Sequence, residues 1–198
     1  MTREHNWADN HTFLAGHVHR PSSIDEARRL VAESPRIHPI GARHSFNSVA
    51  DSPGDLISLG DIAPAFVIDA ERRTVTAGAG VNYSGLASYL HRAGWALHNM
   101  ASLPHVSVAG AISTGTHGSG DRLSNLATAV AALELITATG EALLLSLGGR
   151  PHWGKIMHAA AARLEPLYPK MADFRQLARA YDPEGKFRNE FLERHVFG

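Results

Sequence analysis

The chain of 198 residues contains no cysteine, which removes disulfides, thiolate nucleophiles and cysteine-ligated metals from its chemistry. It also lacks an excess of charge: 19 basic residues stand against 19 acidic ones. No overall basic field is available to attract nucleic acid, so any anion site has to be local. No apolar run approaches the roughly 20 residues of a membrane span, and no membrane crossing is expected. The opening MTREHNWADNHTF has no apolar signal segment, which makes cytoplasmic residence the expectation. The GxxxxGK[ST] pattern of nucleoside triphosphate sites is absent. Thirteen histidines invite a metal reading, but there is no HExxH, and the pairs His17/His19 and His152/His158 have no third ligand nearby in sequence; no metal is expected. What remains, with 44% hydrophobic and 19% charged residues, is an ordinary globular composition, long enough to bury a core.

The first 95 residues alternate β and α. Ser23 with Glu26 forms a capping-box pattern, and Ile24, Ala27, Leu30 and Val31 share one helical face, so a helix is expected over 23–33, stopped by Pro35. The preceding segment, from Asn6-Trp7 to Val18, alternates too poorly to predict a strand. Ile37–Ile40 reads as a short strand delivering the turn 41–47, GARHSFN, at its carboxyl end. Leu56–Leu59 reads as a second strand, and Ala65–Asp69 with Thr74–Ala79 as a hairpin. Tyr83, Leu86, Leu90 and Ala93 trace a second helix over 83–93, with Asn82 as N-cap and Gly94 as C′ residue. Further on, Val130–Ala138 and Glu141–Ser146 read as an antiparallel pair turned at Thr139-Gly140. Helix-forming runs follow at Met157–Leu164 and Met171–Tyr181.

The most unusual stretch is Ala101–Gly120, ASLPHVSVAGAISTGTHGSG, in which half the positions are Gly, Ser or Thr and none is Asp, Glu, Lys or Arg. Small residues allow a ligand close to the backbone, hydroxyls and amides donate to oxygen, and the missing carboxylates avoid repelling an anion. Within it, Val106–Ser113 reads as one helical turn with N–H groups facing a phosphate. The same residues also suit N-caps and turns of an ordinary core.

GARHSFN at 41–47 and NMASLPHVSVAGAISTGTHGSG at 99–120, with RPHWGK at 150–155 and DPEGKFRN at 182–189, resemble the vanillyl-alcohol oxidase flavoproteins, in particular their alditol (xylitol) oxidase branch. The resemblance implies an α+β fold: a PCMH-type FAD-binding domain of two small α/β lobes with a C-terminal helical segment. It implies FAD as cofactor, covalently attached at its 8α carbon through His44, with dioxygen as oxidant and a polyol as substrate. Attachment needs a neutral imidazole nucleophile, and a histidine with a reference pKa near ~6.5 is largely neutral at pH 7. The implied cofactor-binding residues are Pro39, Ile40, Gly41, Ala42, Arg43, His44 and Ser45, then Ser102, Ser107, Gly110, Thr114, Gly115, Thr116 and His117, then His152. Ser102 and Lys155 are the implied substrate contacts. Arg43 stands where the family commonly has glycine, which restricts the turn and offers a phosphate contact.

After Ser146 the resemblance is interrupted. The family continues into the rest of the flavin domain and a large substrate domain, whereas this chain passes through Gly148-Gly149 to RPHWGK. The expected organisation is therefore an FAD-binding part at 1–147, a Gly-Gly junction at 148–149, and the C-terminal part of the same domain at 150–198. Natural deletion and engineered excision would leave the same sequence. The family's carboxylate and arginine for the polyol have no counterpart segment here. The expectation is a flavin-binding module that keeps redox chemistry with dioxygen but not efficient polyol oxidation, the alternative being an active alditol oxidase.

Overall fold

The computed structural model describes residues 4–138, 142–145, 165, 168 and 170–198. Three short strands, β1 (His17–His19), β2 (Ile37–Pro39) and β3 (Asp55–Ile57), form a parallel sheet in the order β1-β3-β2. Asp55 is in register with both His17 and Ile37. Leu56 and Ile57, adjacent on the central strand, are buried on opposite faces. Leu56 packs with Phe13, Ala15 and Ile40, and Ile57 with Ala27, Val31 and Ile37. Burial on both faces is the normal condition of a parallel sheet.

The second core face is supplied by α1 (Ile24–Glu33). Ser23 caps it, its hydroxyl accepting the Glu26 N–H at 3.2 Å. The Glu26 carboxylate reaches Ser22 rather than Ser23, accepting that residue's N–H and hydroxyl at 2.8 and 2.9 Å. The expected box is thus closed one residue early. The hairpin forms as β4 (Phe66–Asp69) and β5 (Thr74–Ala77), antiparallel with Asp69 opposite Thr74. Helix α2 (Tyr83–Arg92) starts at Asn82, whose side chain accepts the Gly85 N–H, and Gly94 follows it at φ 78°. Its Tyr89 ring stacks on Phe66 at 4.6 Å. A third core joins Tyr83 to Ala101, Val106, Ala111 and Leu126, so the small-residue stretch packs directly on α2.

Within that stretch α3 (Val108–Ser113) forms, and a 3-10 turn, Leu126–Ala129, leads to β6 (Leu133–Ile136), antiparallel to β7 (Ala142–Leu145). The expected strand from 130 therefore begins three residues later. The expected mixed fold is present, the strands among the described residues being divided among three small sheets. The turn at 139–140, the Gly148-Gly149 pair and the run Met157–Leu164 lie outside the described residues. Helix α4 (Met171–Tyr181) forms as expected, and a short α5 (Glu190–Leu192) runs into a π-type turn, Glu193–Phe197.

The signature at 182–189 ties the C-terminus to the parallel sheet. Asp182 accepts the N–H groups of Lys186 and Phe187 at 2.6 and 3.1 Å. Lys186 is buried, and its ammonium donates to the carbonyls of Val31, Ala32 and Ala138 at 2.8, 3.0 and 3.0 Å. Two of these are orphan carbonyls of the last turn of α1, where a cation is also favoured by the helix dipole. Asn189 donates to the carbonyls of Val49 and Asp51 and accepts the Leu192 N–H. Lys186→Met keeps the bulk but removes a buried ammonium that serves three carbonyls. It should destabilise the fold by about 3 kcal/mol, roughly 10 °C in Tm, a loss that thermal unfolding followed by circular dichroism will measure.

Candidate functional site

The turn after β2 begins at the carboxyl end of the parallel sheet, where open α/β sheets bind ligands. Ile40 is anchored by its N–H to the Ile57 carbonyl at 2.9 Å. Gly41 then passes so close to the small-residue stretch that a Cβ would lie 2.2 Å from the Ser107 hydroxyl oxygen. No other residue type fits there without moving Ser107. Residue 44 is adjacent to the same stretch, with His105 Nε2 3.5 Å from His44 Nδ1. The two segments are more than sixty residues apart in sequence and meet in space.

His44 is partly buried. Burial, and secondarily the neighbouring His105, lower its pKa below the ordinary histidine value, so the imidazole is neutral at pH 7 and available as a nucleophile. Its ring also lies against Trp7, with centroids 4.5 Å apart and planes inclined by 34°.

Arg43 adopts φ 59°, in the left-handed region that costs a residue with a side chain roughly 1–2 kcal/mol. Two contacts hold it there: its carbonyl accepts the Trp7 N–H at 2.8 Å, and its guanidinium pairs with Glu4. Glu4 also faces Arg20, at 3.8 Å. Glu4, Arg20, Gly41, Arg43 and Ser58 line a cleft of about 120 Å³. The Glu4–Arg43 pair is half-exposed and worth little. Arg43→Gly should therefore stabilise the protein by about 0.5–1 kcal/mol, read as a raised urea midpoint, whereas Arg43→Ala should give no gain.

Along the second stretch, Ser107 is buried and caps α3, its hydroxyl accepting the Gly110 N–H at 3.3 Å. Thr114 donates to the Gly110 carbonyl at 3.0 Å and lies 3.3 Å from the Thr116 hydroxyl. Gly115 has φ 70°. Ser102 and His117 are exposed. One expectation is corrected: the N–H groups opening α3 do not face outward to a phosphate. Those of Val108 and Ala109 donate to the carbonyls of Val81 and Ala79 at 2.7 and 3.4 Å, and that of Gly110 goes to Ser107. The approach of the 79–81 loop uses them. Arg43 pairs with Glu4. His152 and Lys155 lie outside the described residues.

Sequence reading missed Glu4, Asn6, Trp7, Arg20 and His105. The first four lie in the segment before α1, where no periodicity marks them, and His105 is one histidine in a stretch read for its small residues. Among the described residues no group of three or more His, Asp or Glu side chains is placed to hold a metal, and no helix is long and apolar enough to cross a membrane.

A parallel-sheet edge that carries a histidine turn is set against a carboxylate-free run of hydroxyls and small residues, an arrangement suited to a ligand at the carboxyl ends of the strands. The chain belongs to the FAD binding domain family, which matches residues 15–146. Residues 132–195 match a second family, D-arabinono-1,4-lactone oxidase. The chain is 45% identical over 159 residues to the alditol oxidase of a Streptomyces species, covering 79% of this chain and 38% of that protein. It is 32% identical over 142 residues to the L-gulonolactone oxidase of Bos taurus, covering 70% of this chain and 32% of that one. It thus spans about a third of the length of these relatives. In fold it is similar to the cholesterol oxidase of B. sterolicum, with a TM-score of 0.61 at 17% identity, covering 84% of this chain and 34% of that one.

The residues present fit FAD. Exposed Ser102 and Ser119 offer hydroxyls in a stretch that carries no carboxylate, and the cleft adds two guanidiniums whose shared partner, Glu4, is half-exposed and can be displaced by an anion.

Proposed function

We propose that this chain is the FAD-holding module of an alditol oxidase-type oxidoreductase, with the flavin attached covalently through His44 and with little capacity to oxidise polyols. The observation that carries the reading is the meeting of the two resembling stretches, Gly41 against Ser107 and His44 beside His105. Bound FAD would supply a hydride acceptor at flavin N5, reoxidised by dioxygen to give hydrogen peroxide. The protein's own part is to hold and orient it. Residues 39–45 and the segment from Ser102 to His117, with His152, would hold the cofactor. His44 would provide the neutral nitrogen for attachment, the new bond replacing a C–H bond at the flavin 8α carbon with dioxygen taking up the two electrons released, and Arg43 and Arg20 would offer charge to the diphosphate. Ser102 and Lys155 can each hydrogen-bond a polyol hydroxyl, but neither is a base for its proton.

In this reading residues 1–147 and 150–198 are two parts of one FAD-binding domain joined at Gly148-Gly149. The second reading, an active alditol oxidase, draws on the 45% identity to that enzyme. The test of FAD binding is the visible spectrum of the purified protein, before and after reconstitution with FAD. One yellow flavin per chain is expected. A preparation that stays colourless overturns the proposal.

A further inference from the structure

We propose that the N-terminal segment 4–10 is a positioning strap for the His44 turn, in which Asn6 fixes the turn's backbone and Trp7 fixes the orientation of the imidazole. The segment folds back on itself as a closed loop: the Asn6 N–H donates to the His11 carbonyl at 3.0 Å and the Phe13 N–H to the Glu4 carbonyl at 2.9 Å. Asn6 is buried at its centre, 5% exposed. Its side-chain Oδ1 accepts the N–H groups of Asn10 and His11 at 3.1 and 3.0 Å. Its side-chain Nδ2 donates to Asn10 Oδ1 at 2.7 Å and, across 39 positions of sequence, to the Ser45 carbonyl at 2.8 Å. These four bonds need one side chain carrying both donor and acceptor, which neither aspartate nor leucine reproduces.

Three more links run from strap to turn. The Trp7 N–H binds the Arg43 carbonyl, Glu4 pairs with the Arg43 guanidinium, and the Asn10 amide donates to the Phe46 carbonyl at 3.2 Å. Residues 43, 45 and 46 are therefore held by their backbone carbonyls on both sides of His44. A turn so fixed, including a strained φ at Arg43, cannot swing its histidine freely. Trp7 completes the arrangement. Its ring lies against the imidazole, with the residue 63% exposed. The contact it makes there is with His44.

The inference rests on His44 as the attachment point, so its test separates positioning from holding. Attachment of the flavin is measured as the rate at which acid-stable flavin appears at saturating FAD, and holding as the FAD dissociation constant in a His44→Ala background. Trp7→Ala and Asn6→Asp should each slow attachment about tenfold or more, since misplaced reacting groups lose rate steeply, with less than roughly threefold change in FAD affinity. Trp7→Phe, which keeps an aromatic face, should restore most of the rate. Met171→Ala, which removes bulk packed with Val196 in a buried cluster at the C-terminus, should leave the rate at saturating FAD unchanged. Equal slowing by Met171→Ala, or an unchanged rate in both strap variants, overturns the strap.

In the FAD-free protein the His44 ring-proton signals should carry the ring-current displacement of Trp7 and lose it in Trp7→Ala. If wild-type protein forms no acid-stable flavin, the reading of His44 fails while these signals still decide the strap. Signals unmoved by Trp7→Ala overturn it.

Discussion

Replacing His44 with alanine is expected to abolish acid-stable flavin altogether while leaving FAD bound noncovalently. The imidazole is one contact among many; the hydroxyls of the second stretch, the two guanidiniums of the cleft and the close approach at Gly41 all remain. The side chain lost is the only one in the turn able to act as a neutral nitrogen nucleophile. The measurement is acid precipitation of reconstituted protein followed by the absorbance of pellet and supernatant: yellow pellet in wild type, yellow supernatant in the variant. Acid-stable flavin in His44→Ala would move the attachment elsewhere. The wild-type attachment rate should also depend on pH with a definite sign. Burial and His105 lower the His44 pKa, so the neutral form persists below the ordinary histidine value, and the rate should stay flat through pH 7 and fall only on further acidification, with a midpoint below about 6.5.

Polyol oxidation should be slower than in a full-length alditol oxidase by at least three orders of magnitude, the scale at which orientation and electrostatic preorganisation act. The structural reason is the donor set. Around the meeting of the two stretches, Ser102 is the one described residue the resemblance assigns to substrate. The two hydrogen bonds proposed for Ser102 and Lys155 would not fix a near-attack geometry, and removal of the hydroxyl proton needs a positioned base. The experiment is anaerobic mixing with xylitol or sorbitol, following flavin bleaching, and then admission of dioxygen to flavin reduced chemically. Slow or absent bleaching with rapid reoxidation is expected. Rapid bleaching that depends on Ser102 and Lys155 would favour the active oxidase instead.

What could be read from sequence was what local physics controls. The helix at 24–33 follows from its cap and apolar spacing, α2 from Asn82 and Gly94, and the hairpin from two β-rich runs around a polar turn; each depends on residues within about ten positions of one another. The resemblance in GARHSFN and in the stretch from Asn99 to Gly120 pointed to an FAD-binding domain, and the fold and family agree with that. The sequence could not specify what lies against those segments. Glu4, Asn6 and Trp7 reach the His44 turn across nearly forty residues, in a segment with no periodicity to mark it, because their role is carried by single hydrogen bonds and one ring contact. The amides of α3 looked available to a phosphate until the 79–81 loop took them. The lysine and asparagine of the closing signature bind carbonyls some 140 to 155 positions away. Local propensity determined the elements of this protein. Only the tertiary structure decided which backbone carbonyls and amides were satisfied internally, because a buried polar group must find a partner wherever the packed chain supplies one.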